Sequence, residues 1–178
     1  MQKAADTWRY PTPKGVISDE TVASSIKLSL YSNYTVWRHS LQVSVEATFE
    51  NQTQSFVYIR FMPHLFIYDA EKKVPLYWSN IDMSFAESVG AGTMSIVSLP
   101  ANGTKVTAIP IDQVKFADVD SQTWPEYTIY DTVPSGRYLM RLECDFYDND
   151  DKLLGTILSN FVEFTTVLTA PEVVRTSP

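Results

Sequence analysis

The clearest feature of the chain is alternation. Leu41, Val43, Val45, Ala47 and Phe49 are apolar, while Gln42, Ser44, Glu46 and Thr48 between them are polar. Successive side chains leave an extended strand on opposite sides, so a period of two predicts a strand with one buried face. The pattern returns where Tyr138, Met140, Leu142, Cys144 and Phe146 alternate with Arg137, Leu139, Arg141, Glu143 and Asp145. A shorter version has Ile26, Leu28 and Leu30 around Lys27 and Ser29. Further strands are predicted over residues 55–62, 65–68, 74–78, 93–99, 105–111, 153–158 and 161–166. No stretch keeps apolar residues at i, i+3, i+4 and i+7 beyond two turns, so helices are not expected.

Turn chemistry punctuates these runs. Residues 50–54 read as a turn and 69–73 as a polar hairpin loop, Pro134-Ser135-Gly136 and Asp148-Asn149-Asp150-Asp151 mark further turns, and Asn102-Gly103 is the strongest hairpin signal. Pro63 has no N–H to donate and is expected to interrupt the ladder, and Pro75 to mark an edge or a bulge. Turn signals every 8–12 residues give about eight or nine strands, the spacing of an antiparallel all-β sandwich. Residues 112–131 are aromatic and acidic and carry no assignable pattern. The domain is expected over 23–169, with a lead-in over 1–22 and a tail over 170–178.

Composition agrees with one domain: 178 residues, 44% hydrophobic, 13% aromatic. The net charge of −7 changes the picture more. Nucleic-acid binding needs a positive surface that displaces counterions from phosphates, and no cluster of Lys and Arg exists to supply it. Anionic membranes are disfavoured for the same reason. The single cysteine, Cys144, excludes an internal disulfide and is expected to be a buried, inert thiol. No apolar run approaches the ~20 residues that cross a bilayer, and no signal peptide is visible. The opening Met1-Gln2-Lys3-Ala4-Ala5-Asp6 reads as a start placed on a trimmed chain, so any membrane attachment is expected through an anchor missing from it. Three Asn-x-Thr triplets, at Asn33, Asn51 and Asn102, fall in predicted turns and favour an extracytoplasmic or cell-surface location over a cytoplasmic one.

Candidate chemistry is sparse. His39 and His64 are the two histidines, and no Gly-x-Ser-x-Gly elbow is present, so a serine or cysteine hydrolase is not expected. His39, His64, Cys144, Met83 and Met94 lack metal-ligand spacing. Asp145, Asp148, Asp150 and Asp151 lack the glycine and glutamate of a calcium loop and read as a polar turn. No catalytic residue, metal or cofactor is therefore expected. Trp78, Trp124, Tyr127 and Tyr130 lie in the irregular segments, where loops carry function, and are the candidate binding residues.

The stretch from Phe66 to Phe85, with Tyr68-Asp69-Ala70-Glu71-Lys72-Lys73 leading to Trp78-Ser79 and then Met83-Ser84-Phe85, resembles the BsuPI-like intracellular proteinase inhibitor family. The later order is similar too: a turn at Leu99-Pro100-Ala101-Asn102-Gly103, then Pro134-Ser135-Gly136-Arg137-Tyr138 opening a long strand. The resemblance covers about residues 41–166, with a longer insertion over 111–131. It implies an immunoglobulin-like sandwich, no enzymatic activity, and a protein partner of which a protease is the case in point. A secreted or cell-surface structural module is the alternative reading, and a metal or redox accessory subunit a third.

Overall fold

The computed structural model describes residues 24–38, 43–81, 95–111, 114–119, 129–130, 133–148 and 150–167. The lead-in over 1–22 and the tail over 170–178 lie outside the described residues, as do Trp124 and Tyr127. Ser44–Asn51 (β3) buries Val45, Ala47 and Phe49 and turns Glu46 to water, as its alternation requires. It lies between Ile26–Ser32 (β1) and Thr104–Pro110 (β7) in an antiparallel three-stranded sheet.

The larger sheet is built on Val57–Asp69 (β4) and Gly136–Tyr147 (β10), antiparallel from Tyr138 opposite Asp69 to Tyr147 opposite Arg60. The other side of β4 is taken by Ser95–Leu99 (β6) against its first half and by Pro75–Asn80 (β5) against its second. Phe116–Asp118 (β8) and Ile129–Tyr130 (β9) extend the sheet beyond β5. On the far side of β10 lie Leu153–Leu158 (β11) and Val162–Val167 (β12), with Val36–Arg38 (β2) parallel to β12 at the margin.

The two sheets share one core, in which the Phe49 and Phe61 rings meet at 5.1 Å from opposite layers. A small sheet β1-β3-β7 facing a sheet that runs β12-β10-β4-β5 has the strand order of an immunoglobulin-like sandwich. A second mark of that fold is the tyrosine corner. Tyr138, at the start of β10, donates its hydroxyl hydrogen bond to Pro134 O at 3.0 Å. The ring lies so close that a Cβ added at Gly136 would sit 2.9 Å from the Tyr138 hydroxyl. The inter-sheet disulfide of antibody domains has no counterpart. Two residues after the corner tyrosine stands Met140, fully buried.

Several expectations are corrected. The described residues hold twelve strands, because the short β2, β8 and β9 carry too few residues to show a period, and β2 runs parallel. Pro63 does not break its strand. Its carbonyl accepts from Ile81 N at 3.3 Å, so the side of the backbone lacking an N–H faces the seam where β6 gives way to β5. Asn102-Gly103 forms a turn, with Gly103 N bonded to Pro100 O at 2.8 Å, but β6 and β7 leave it for different sheets. Pro75 opens β5 beside a register shift between Ile67 and Tyr68, the bulge position expected of it.

That divergence is held by Asn51, which is buried and has no exposed area. Its Nδ2 donates to Ser55 O at 2.8 Å, Pro100 O at 2.9 Å and Leu99 O at 3.2 Å. Its Oδ1 accepts from Thr53 N and Thr53 Oγ1. The Asn51 triplet is thus a structural corner, while Asn33 and Asn102 are exposed.

β11 and β12 are one returning strand broken by an extra residue. Glu143 faces Leu158 and Met140 faces Val162, so Arg141 and Leu142 stand against Ser159, Asn160 and Phe161. Such a bulge re-aims side chains. Asn160 Oδ1 accepts from Leu30 N at 2.8 Å and its Nδ2 donates to Leu30 O at 2.9 Å, tying the large sheet to the edge of β1.

Candidate functional site: the outward face of the large sheet

The inward positions of β4 and β10 fill the core, so the alternate positions point away from it. In most two-layer folds these would be polar. Here they include Met62, His64, Phe66 and Tyr68 on β4 and Leu139, Arg141, Glu143 and Asp145 on β10. The register sets Phe66 between Arg141 and Trp78, and Trp78 beside Ala117. The bulge places Phe161 at the end of this row, its ring 4.8 Å from the Arg141 guanidinium carbon. A single row therefore crosses the sheet: Phe161, Arg141, Phe66, Trp78, Ala117.

Aromatic neighbours thicken the row. Tyr68 meets Phe161 edge-on at 5.2 Å and Phe66 at 6.2 Å, and His64 lies 6.4 Å from Phe66 and 6.5 Å from Trp78. Leu158, opposite Glu143, is 47% exposed and Phe161 37%, so apolar surface reaches solvent here. Offset and edge-on contacts of this kind hold rings rigidly at low entropy cost.

Charge on the face is internally paired. Arg141 donates to Glu143 Oε1 at 2.7 Å and to the Tyr68 hydroxyl at 3.0 Å, and that hydroxyl donates to Glu143 Oε1 at 2.7 Å. Burial first, and then this bond to Glu143, push the Tyr68 phenol up to about 12. A phenol held so firmly neutral is neither a nucleophile nor a ready proton donor at neutral pH. Elsewhere on the face His64 Nε2 lies 3.4 Å from Asp145 Oδ2, and Arg137 pairs with Glu163, holding that carboxyl below its ordinary range.

Arg60 closes the acidic turn that carries Asp148, Asp150 and Asp151. Its guanidinium donates to Asp148 O at 3.0 Å and pairs with Asp151 Oδ1 at 2.6 Å. Asp148 Oδ1 accepts from Asp150 N and Lys152 N at 2.9 Å. Oxygens that a cation would need are engaged by the protein's own donors. Among the described residues no three His, Cys, Asp or Glu side chains gather as a metal site. Cys144 is buried opposite Pro63, and burial raises its thiol well above the ordinary value.

Of the residues singled out from sequence, Trp78 belongs to the outward row. Tyr130 pairs with Phe116 whereas Trp78 pairs with Ala117, so the two occupy positions of opposite parity and the row does not include Tyr130. Trp124 and Tyr127 lie outside the described residues. Phe66, Tyr68, Arg141 and Phe161 were missed. The signal for Phe66 and Tyr68 is His64-Leu65-Phe66-Ile67-Tyr68, a run large and apolar or aromatic at both parities, where one buried face needs only one.

No family model matches the chain, and no curated protein does. Solved structures give distant likenesses. A CARDB domain from Pyrococcus furiosus, in complex with di-metal ions, aligns at 9% identity and TM-score 0.36, over 80% of this chain and 87% of that one. A Listeria innocua β-glucosidase in complex with isofagomine aligns at 15% identity and TM-score 0.39, over 79% of this chain and 16% of that one. The Pseudomonas fluorescens alkylpurine DNA glycosylase AlkC, bound to DNA containing an abasic site analogue, aligns at 13% identity and TM-score 0.35. The match covers 80% of this chain, which spans 30% of that one. At these scores the assignment of an immunoglobulin-like sandwich rests on strand order and the tyrosine corner.

Proposed function

We propose that this chain is a non-enzymatic protein-binding domain whose contact surface is the outward face of the large sheet. The observation that carries the reading is the row Phe161–Arg141–Phe66–Trp78, set on rigid central strands and edged by exposed Leu158. Aromatic side chains and arginine dominate the energetic centres of protein interfaces, and sheet positions hold them with little entropy left to lose. The ion pairs on the face are satisfied within the chain, which favours binding by apolar contact over charge.

A photo-crosslinking amino acid placed at Trp78, in cells that make the protein, is expected to yield a discrete protein adduct. The same group at Val106, on the exposed face of the small sheet, is expected to yield none. Equal adducts at both positions, or none at Trp78, defeat the reading. Its narrower form, inhibition of a proteinase, stands on the resemblance of residues 66–85 and is checked by titrating a subtilisin-like enzyme. Full activity at tenfold molar excess of the domain, on the order of what any tight inhibitor would abolish, removes that form and leaves the binding face untouched.

A further inference from the structure

Resting on that reading, we infer that the partner for the outward face is a second copy of this chain, packed sheet to sheet about a twofold axis. Charge is the first argument. A chain of net charge −7 resists association with itself, yet each of four carboxylates on or bordering this face lies against a basic group of the same chain. The pairs are Glu143 with Arg141, Asp145 with His64, Glu163 with Arg137 and Asp151 with Arg60. Two copies brought together here meet carboxylates already partnered within the chain, whereas on the outward face of the small sheet Glu50 is paired with Lys27 but Glu46 would meet its own image.

Area is the second. The row runs from the bulge before β12 across β10, β4, β5 and β8, a width of roughly 20 Å at strand spacing, and Met62 to Tyr68 rises a similar distance. That is a flat footprint of roughly 400 Å², which side-chain relief and the exposed Leu158 and Phe161 at its edge raise toward the about 800 Å² per partner that a specific dimer buries. A twofold interface also needs a self-complementary patch, and aromatic rings flanking a central arginine can meet their own copies by offset stacking.

Sedimentation velocity of the full chain between about 1 and 200 µM, a span chosen to bracket micromolar association, tests this. The expected result is a rise toward twice 20.2 kDa. Trp78→Ser and Leu158→Asp are each expected to weaken association by about tenfold or more, while Val106→Asp leaves it unchanged. Near-ultraviolet circular dichroism confirms that each variant keeps its packing. A mass of 20.2 kDa throughout, or a dimer indifferent to both face substitutions, overturns the inference. A monomer whose Trp78 photo-crosslinker still captures a different protein overturns the second copy alone and leaves the binding face in place.

Discussion

Tyr68 shows how one side chain couples the face to the fold. Its neutral form is favoured when folded, with the phenol pushed from its ordinary 10.0 to about 12. Between those values the unfolded chain loses the proton while the folded chain keeps it, so stability present below pH 10 declines as pH rises toward 12. Tyr68→Phe is expected to flatten this alkaline loss, measured as the denaturation midpoint from pH 9 to pH 12; an unchanged slope would show that the group is not coupled to folding. Asn51 is the other residue on which much depends. Asn51→Ala removes the donor shared by Ser55 O, Leu99 O and Pro100 O and the acceptor of Thr53 N at a position closed to solvent, and is expected to cost about 2–4 kcal/mol in urea unfolding. At Tyr138, loss of the hydroxyl in Tyr138→Phe is expected to cost about 1–2 kcal/mol by the same measurement.

At the scale of elements, the bulge between β11 and β12 does two tasks at once. It turns Phe161 over Arg141 on the outside and sends Asn160 to Leu30 on the inside. Asn160→Ala is expected to cost about 1–3 kcal/mol and to speed amide exchange in β1 more than in β3. Equal acceleration in both strands would mean that Asn160 does not tie β1 to the other layer. The long strands were legible in the sequence because one face is apolar and the other polar: 43–49 and 138–146 bury their apolar positions. β4 was misread as two pieces because the direction in which Pro63 lacks its N–H is a matter of pairing, which no local pattern encodes. β8 and β9 were illegible for a related reason, since two or three residues make no period. Of the face, Trp78 was singled out as an aromatic bordering an irregular stretch and lies in β5, whereas placing Phe161 required knowing a bulge.

For the whole molecule, a single core spanning both sheets implies cooperative unfolding, and Cys144 offers a natural reporter. The thiol is fully buried and pushed well away from its reactive form, so a disulfide reagent at neutral pH is expected to react only at the rate of global opening. Fast labelling of native protein would place Cys144 in a locally opening region instead. The Asn51 corner carries a consequence of a different kind. A sugar attached at Nδ2 takes away one of the two hydrogens that reach three carbonyls, and its bulk has no room in a position closed to solvent. A secretory host that decorates every Asn-x-Thr triplet on the nascent chain would therefore produce molecules unable to bring the ends of β3 and β6 together. Decoration at Asn33 or Asn102 would leave them whole.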